Sequence, residues 1–155
     1  MGNNLNTSTP VKITVRIAEV PDALALRRLN VAFNGGEEPP ERIAARLADP
    51  RCVETPILAE IDGQVVGFAA LRVAPCVFYP EPHAELTELY VEPEYRRKGV
   101  GRALVSYAQA LAQEAGAKGL VVLTSLSNHA AQAFYHAMGY RDDDLALWKD
   151  LPGNV

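Results

Sequence analysis

Leu89-Tyr90-Val91-Glu92-Pro93-Glu94-Tyr95-Arg96-Arg97-Lys98-Gly99-Val100-Gly101-Arg102-Ala103-Leu104 is the stretch from which the rest of the chain is read. It passes from a β-rich segment through a basic loop with two glycines into a helical pattern. Such a junction gathers free backbone N–H groups and the positive end of a helix dipole at one point, and that point favours an anion. Gly99 and Gly101 allow close approach of the main chain, while Arg96, Arg97, Lys98 and Arg102 concentrate positive charge in a protein of formal charge -4. A pyrophosphate suits this arrangement. A nucleoside-triphosphate loop would continue Gly-Lys-Ser or Gly-Lys-Thr, whereas Gly101 is followed by Arg102-Ala103. A dinucleotide fingerprint would need a third glycine where Leu104 stands. The other reading of the same residues is a solvated basic turn.

Downstream, residues 101–115 carry Leu104, Ala108, Leu111, Ala112 and Ala115 on one helical face, with Gly116 as the stop. Residues 119–124 read as an apolar strand buried on both faces. A last helix is expected over 128–138, capped by Ser127 or Asn128 and ended by Gly139, before a final strand at 145–149. Upstream, 84–91 reads as a strand with Leu86, Glu88 and Tyr90 on one face and Glu85, Thr87, Leu89 and Val91 on the other. Residues 57–61 and 64–73 form a hairpin through Asp62-Gly63, and Gly67 within it reads as a small core residue in preference to a bulge or a close backbone approach. Helices over 21–33 and 40–48 precede the hairpin, and a first strand at 12–17 precedes the helices. The 75–82 loop, with three prolines and with Phe78 and Tyr79, could line a substrate mouth. The element order is that of an α/β (α+β) domain over 11–151, with tails at 1–10 and 152–155.

Composition narrows the function. A chain of 155 residues, 48% apolar and 22% charged, is one domain with a real core. Nineteen acidic against fifteen basic residues argue against a broad nucleic-acid face. Cys52 and Cys76 lack metal or redox spacing, and His129 and His136 share no ligand pattern with them, so no metal is expected. No apolar run reaches the ~20 residues of a membrane span and the first ten residues are polar, so a soluble cytoplasmic protein without membrane contact is expected.

Arg96-x-x-Gly99-x-Gly101, directly after Leu89-Tyr90-Val91-x-Pro93-x-Tyr95, is similar to the acetyl-CoA pyrophosphate loop of the GNAT superfamily of N-acetyltransferases. Asn128, Tyr135 seven residues later, and Gly139-Tyr140 extend the resemblance, which is motif-specific over 84–140 and follows the order of elements over 13–149. The resemblance implies a central mixed, mostly antiparallel sheet with a splayed strand pair and about four flanking helices. It further implies acetyl-CoA as acyl donor, with the backbone of Leu89, Tyr90 and Val91 pairing with the pantetheine arm. The N–H groups from Arg97 through Lys98, Gly99, Val100 and Gly101 to Arg102 would hold the pyrophosphate beside Arg96. Asn128 and Tyr135 return to nearly the same side of a helix after two turns, and the family role carried to Tyr135 is protonation of the departing CoA thiolate.

Attack on a thioester needs a neutral amine, and alkyl amines are mostly protonated at neutral pH. A base must take that proton, and Glu88, Glu85 and His83 are the candidates, directly or through one water. Glu88 is favoured because it precedes Leu89-Tyr90-Val91, where acidic residues are common in the family. Glu37, Glu38, Glu81 and Glu85 could form a negative mouth for a cationic acceptor. The expectation is therefore acetyl transfer to a small-molecule primary amine by direct attack in a ternary complex. A peptide or protein amine, and a non-catalytic acyl-CoA-binding module, are the alternatives. A homodimer is compatible with this reading, since family members are frequently dimers.

Overall fold

The computed structural model describes residues 11–152; the expected tail at 1–10 and residues 153–155 lie outside them. The described residues fall into two compact units that meet in sequence at Val121 and Val122. The first contains β1 (Ile13–Ile17), α1 (Ala23–Asn34), α2 (Pro40–Leu47), β2 (Glu54–Ile61), β3 (Gln64–Ala74), β4 (His83–Val91) and α3 (Val100–Glu114), with 3-10 turns at Val20–Asp22 and Pro93–Tyr95. β5 (Val121–Val122) straddles the boundary, and the second unit contains α4 (His129–Ala137).

Local chemistry explains most of these boundaries. Gly35, at φ +66°, closes α1 with its N–H on the Val31 carbonyl. Pro40 opens α2, where its missing N–H costs nothing. Asp62 and Gly63, at φ 50° and 78°, supply the two left-handed residues that a two-residue hairpin requires. Pro56 stands in β2 just beyond the last β1–β2 pair, Ile17–Ile57, and its carbonyl still accepts from Ala18 N–H at 2.9 Å, a bond that needs no N–H from the proline.

The strands order as β1-β2-β3-β4-β5, and the pairings among the first four are antiparallel. On one face Leu58 and Phe68 join Ala18, Leu26 and Leu29 in a core cluster, with Ile43, Leu47, Val65 and Tyr90 packed around it. α1 and α2 therefore cover that face. Ile57, Ala69, Leu71 and Leu86 on the opposite face are equally buried. Their cover is α3, which packs on β1 to β4 and buries Val100, Leu104, Val105, Ala108 and Ala112.

Two bulges reset the side-chain alternation. In β3 the register shifts opposite Ala59 and Glu60, and in β4 it shifts so that Leu86 pairs with Leu71 while Glu88 pairs with Ala70. Thr87 is the extra residue, and beyond it every side chain changes face. Glu88 and Tyr90 thus share the α1/α2 face with Glu85, whereas Leu86 lies with Leu89 and Val91 on the α3 face. Strict period-two alternation had placed Leu86 with Glu88 and Tyr90, and the bulge overturns it. Gly67 departs from expectation for a related reason: a Cβ there would stand 2.7 Å from the Tyr90 carbonyl oxygen and 3.3 Å from Val91 Cα. It marks a close backbone approach, not a small core side chain.

The chain's last third also differs from expectation. The 119–124 strand shrinks to Val121–Val122, with Val121 42% and Leu123 63% exposed, because its end position in the sheet order leaves it one neighbour and no double burial. Residues 145–149 form no strand, and Leu145, Leu147 and Trp148 are exposed; their alternation finds no ladder partner among the described residues.

Arg16 ties the start of the fold together. Its guanidinium donates to both Asp22 oxygens at 2.7 and 2.9 Å and to Glu60 at 2.9 and 2.7 Å, linking β1, β2 and the turn before α1. The hydrogen bond from Arg16, helped by the Glu19 N–H and opposed by burial, holds the Asp22 carboxyl below its usual value. A depressed carboxyl stabilises the fold fully above the unfolded-chain value of ~3.9 and loses that contribution as pH falls from there through the folded value. Asp22→Asn should therefore cost stability at about pH 7 in urea unfolding, and the difference from wild type should close as the wild-type Asp22 protonates. Gly67→Ala forces a methyl into the Tyr90 carbonyl and should cost about 1–3 kcal/mol in the same assay.

Candidate active site

β4 leads to the site from one end. After Val91 the chain bonds back to β3 through Glu92 N–H to the Val66 carbonyl at 2.9 Å, then turns through Pro93–Tyr95. Arg97 and Gly99 both take left-handed backbone, φ 62° and 88°, on either side of Lys98. Gly99 has no steric cost there; Arg97 does, and such strain clusters where backbone is shaped for a ligand. α3 starts at Val100 without a side-chain cap, and its first ladder bond runs from Ala103 N–H to the Gly99 carbonyl at 3.0 Å. The N–H groups of Val100, Gly101 and Arg102 therefore have no acceptor within the helix. Left-handed turns leading into an uncapped helix start make an anion cradle, and the positive charge around it suits a diphosphate.

The basic side chains of the loop divide by task. Arg96 Nε donates to the Val91 carbonyl at 2.9 Å, and its guanidinium lies 5.8 Å from the Tyr90 ring centre, so Arg96 braces the loop against the strand end. Lys98 Nζ lies 5.3 Å from the Tyr95 ring centre. Arg97 and Arg102 are exposed and make no ion pair among the described residues. Arg28 of α1 adds a clamp that sequence reading missed: it pairs with Glu92 and donates to the Val65 carbonyl at 2.6 Å. It fixes the strand end that precedes the loop.

A cleft of about 210 Å³ opens on the α1/α2 face of the same unit. Leu26, Ile43, Leu47 and Phe68 give it an apolar wall, and three carboxylates, Glu38, Glu54 and Glu88, line it with Arg46. Glu88 is half-buried and accepts from Asn34 Nδ2 at 3.4 Å, while the same amide donates to Asn30 at 2.9 Å. Glu38 lies 3.4 Å from Arg46 and 3.6 Å from Arg42. Glu54 accepts from the Thr87 hydroxyl and lies 3.9 Å from Arg72.

Of the expected acidic mouth, only Glu38 lines this cleft. Glu85 is paired with Arg72 at 3.4 Å, and Glu81 with Lys118, whose hydrogen bond holds the Glu81 carboxyl below its usual value. His83 is an exposed residue at the first position of β4. Glu54 was not among the sequence candidates, because the strand was expected to start at Ile57. Counting back from the Asp62-Gly63 turn would also have set Glu54 against Leu71; the β3 bulge sets it against Arg72.

In the second unit, Asn128 caps α4, its Oδ1 accepting from Ala131 N–H at 3.1 Å, and Gln132 Nε2 donates to the carbonyls of Ser125 and Leu126 at 3.0 Å each. Tyr135 is 8% exposed and packs edge-on against Phe134 and Tyr140, with ring centres 5.1 and 5.4 Å apart. Burial, and secondarily Tyr140, push its phenol up to about 12, so it keeps its proton at neutral pH. The chain reverses at Gly139, φ 90°, and Tyr140 N–H returns to the Tyr135 carbonyl at 3.1 Å. Among the described residues no group of three or more His, Cys, Asp or Glu could hold a metal ion, and no helix is long and apolar enough to cross a membrane.

Residues 23–140 match the model of the acetyltransferase (GNAT) family. An N-acetyltransferase of Chlorobaculum tepidum is 30% identical over 141 residues, which cover 88% of this chain and 83% of that protein. The aminoglycoside N(6')-acetyltransferase type 1 of Stenotrophomonas maltophilia is 28% identical over 143 residues, covering 90% and 93%. Among solved structures, the aminoglycoside N-acetyltransferase AAC(6')-Iy in complex with CoA superposes with a TM-score of 0.78 at 20% identity, covering 91% of this chain and 95% of that one. The uncapped start of α3 behind the left-handed Arg97 and Gly99 is thus found in a chain that belongs to the GNAT family of acetyltransferases.

Proposed function

We propose that the protein transfers the acetyl group of acetyl-CoA to the primary amine of a small cationic molecule, by direct attack within a ternary complex. One observation carries the reading: β4 joins an anion cradle to an acid-lined cleft, with Glu88 in the cleft and Val91 at the loop, about 10 Å along the same strand. The cradle suits the diphosphate of CoA, held by the N–H groups of Val100, Gly101 and Arg102 and the charges of Arg97 and Arg102. The cleft suits the acceptor. Glu38 and Glu54 have Arg42, Arg46 and Arg72 within 4 Å, which leaves Glu88 as the cleft carboxylate without a basic partner among the described residues and favours a cation beside it, and the volume lies below the roughly 300–1,000 Å³ typical of drug-sized ligands. A small amine fits it, or one amine-bearing ring of a larger molecule such as an aminoglycoside, the class named for the Stenotrophomonas relative.

Bound acetyl-CoA supplies a thioester carbonyl carbon open to attack. Glu88 takes the proton of the acceptor ammonium, directly or through one water, and Asn34 holds one of its oxygens. The freed amine nitrogen bonds to the carbonyl carbon as the carbon–sulfur bond breaks. Tyr135, which the family resemblance makes the acid, delivers its proton to sulfur and regains one from solvent as the new amide sheds its extra proton. The phenol, pushed up by burial from a value already above neutral pH, holds the proton it is to give.

Thermal unfolding tests the donor first. Acetyl-CoA and CoA at about 100 times their dissociation constants should add roughly 2.7 kcal/mol, with no shift from ATP or NAD. Gly99→Ala, strained at its left-handed φ, should abolish the shift. Mass spectrometry of an amine panel tests the transfer; a CoA shift without any acetylated product would instead establish the non-catalytic acyl-CoA-binding reading. With a working acceptor, Tyr135→Phe and Glu88→Gln should each lower kcat by about 10²-fold or more while the CoA shift persists. Turnover within a factor of about two in either variant removes that residue from the mechanism.

A further inference from the structure

We propose that Thr87 and Glu54 are a positioning pair: a hydrogen bond across the sheet pins the β4 bulge and thereby aims Glu88 into the cleft. The inference rests on the reading of Glu88 as the base. A bulge is an interruption of the ladder, and the extra residue could occupy neighbouring positions along the strand unless something fixes it. Here the fixed residue is Thr87, whose hydroxyl lies 2.5 Å from Glu54 Oε1. The partners belong to β4 and β2, which are two strand spacings apart with β3 between them, roughly 9.5 Å.

The bond spans that gap because Ala70, the β3 residue paired with Glu88, contributes only a methyl group, over which the Glu54 side chain can reach. Arg72, 3.9 Å from Glu54 and 3.4 Å from Glu85, balances the carboxylates at that end of the row. Thr87 has one hydroxyl proton and a second acceptor within 3.3 Å, the Ala70 carbonyl, so loss of Glu54 would turn the hydroxyl back onto β3. Glu88, the next residue, takes its direction from this anchor. A bulge displaced by one position towards the C-terminus, to Glu88 and Leu89, would send its carboxylate to the apolar α3 face.

The test compares Thr87→Val, which keeps the β-branched shape and removes the donor, with Thr87→Ser, which restores it. Glu54→Ala is the independent variant from the other partner, and Glu88→Gln the reference. Thr87→Val and Glu54→Ala should lower kcat by about tenfold or more, with KM for acetyl-CoA unchanged. Amide hydrogen exchange at Glu88 and Leu89 should quicken in both. Thr87→Ser should recover both readouts, and Thr87→Val combined with Glu88→Gln should be no slower than Glu88→Gln alone. Unchanged exchange in Thr87→Val and Glu54→Ala, failure of Thr87→Ser to rescue, or multiplying losses in the double variant would each overturn the pair. Full turnover in Glu88→Gln would overturn the base assignment itself and the aiming role with it, whereas an inactive Glu88→Gln beside a fully active Thr87→Val would overturn the pair alone.

Discussion

In β4, Thr87 and Glu88 together stand where β3 offers only Ala70, and this one extra residue governs which face of the sheet each later side chain meets. Beyond it Glu88 and Tyr90 turn to α1 and α2 while Leu89 and Val91 turn to α3. Tyr90 then stacks on Phe33 with ring centres 5.2 Å apart, joining a cluster that includes Phe68. A regular strand with the same sequence would bury the Glu88 carboxylate against the α3 layer, at the cost of an unpaired charge in an apolar core. The bulge is thus the arrangement in which hydrophobic burial and an exposed carboxylate are both satisfied. Gly67 belongs to the same constraint, since any side chain there would meet the Tyr90 carbonyl.

Arg96 in the loop before α3 is engaged with the strand that precedes it. Arg96, the first residue of the loop motif, gives its Nε to the Val91 carbonyl and its face to Tyr90. Its role is to hold the loop's shape. In the proposed reading, much of the field for a diphosphate then comes from backbone: the three N–H groups at the start of α3, behind left-handed turns at Arg97 and Gly99. Backbone dipoles fixed in place need no side-chain ordering when a ligand arrives. Arg28 reinforces the geometry by tying α1 to Glu92 and to the Val65 carbonyl.

What the sequence made legible was whatever depends on local chemistry. The Asp62-Gly63 turn, the stop at Gly139 and the glycine loop before α3 each follow from a backbone conformation that few residues adopt, and the Asn128 cap follows from a side-chain acceptor that few residues offer. Bulges follow from no such rule, because Val66 and Thr87 carry no residue signal that separates them from ordinary strand positions. Beyond Thr87 the faces of β4 are consequently offset from those before it, and Glu85 and Glu88, opposite in strict alternation, share a face. Glu54 was invisible for the same reason, as its partnership with Thr87 crosses two strand spacings and appears only once both registers are known. Periodicity also overstated the end of the chain. Leu120 to Leu123 and Leu145 to Lys149 have strand-like composition, but a strand is made by its neighbours, and these segments have one or none among the described residues.

The charges along β4 also bear on turnover in the proposed reaction. Arg96, Arg97, Lys98 and Arg102 gather at the loop and Glu88 stands in the cleft, within an acidic chain. Such a separation draws a polyanionic donor and a cationic acceptor to different ends of one strand, so neither competes for the other's place. Acetylation then changes the acceptor in the direction that frees it. An ammonium attracted by Glu88 becomes a neutral amide, and the attraction that brought it in falls away at the reacting nitrogen. An acceptor with a second ammonium would keep part of that attraction after the first transfer. In the proposed reaction the charge of Glu88 that draws in the cation therefore also sets how readily its product leaves, and it favours release most for a molecule whose only positive charge is the one that acetylation removes.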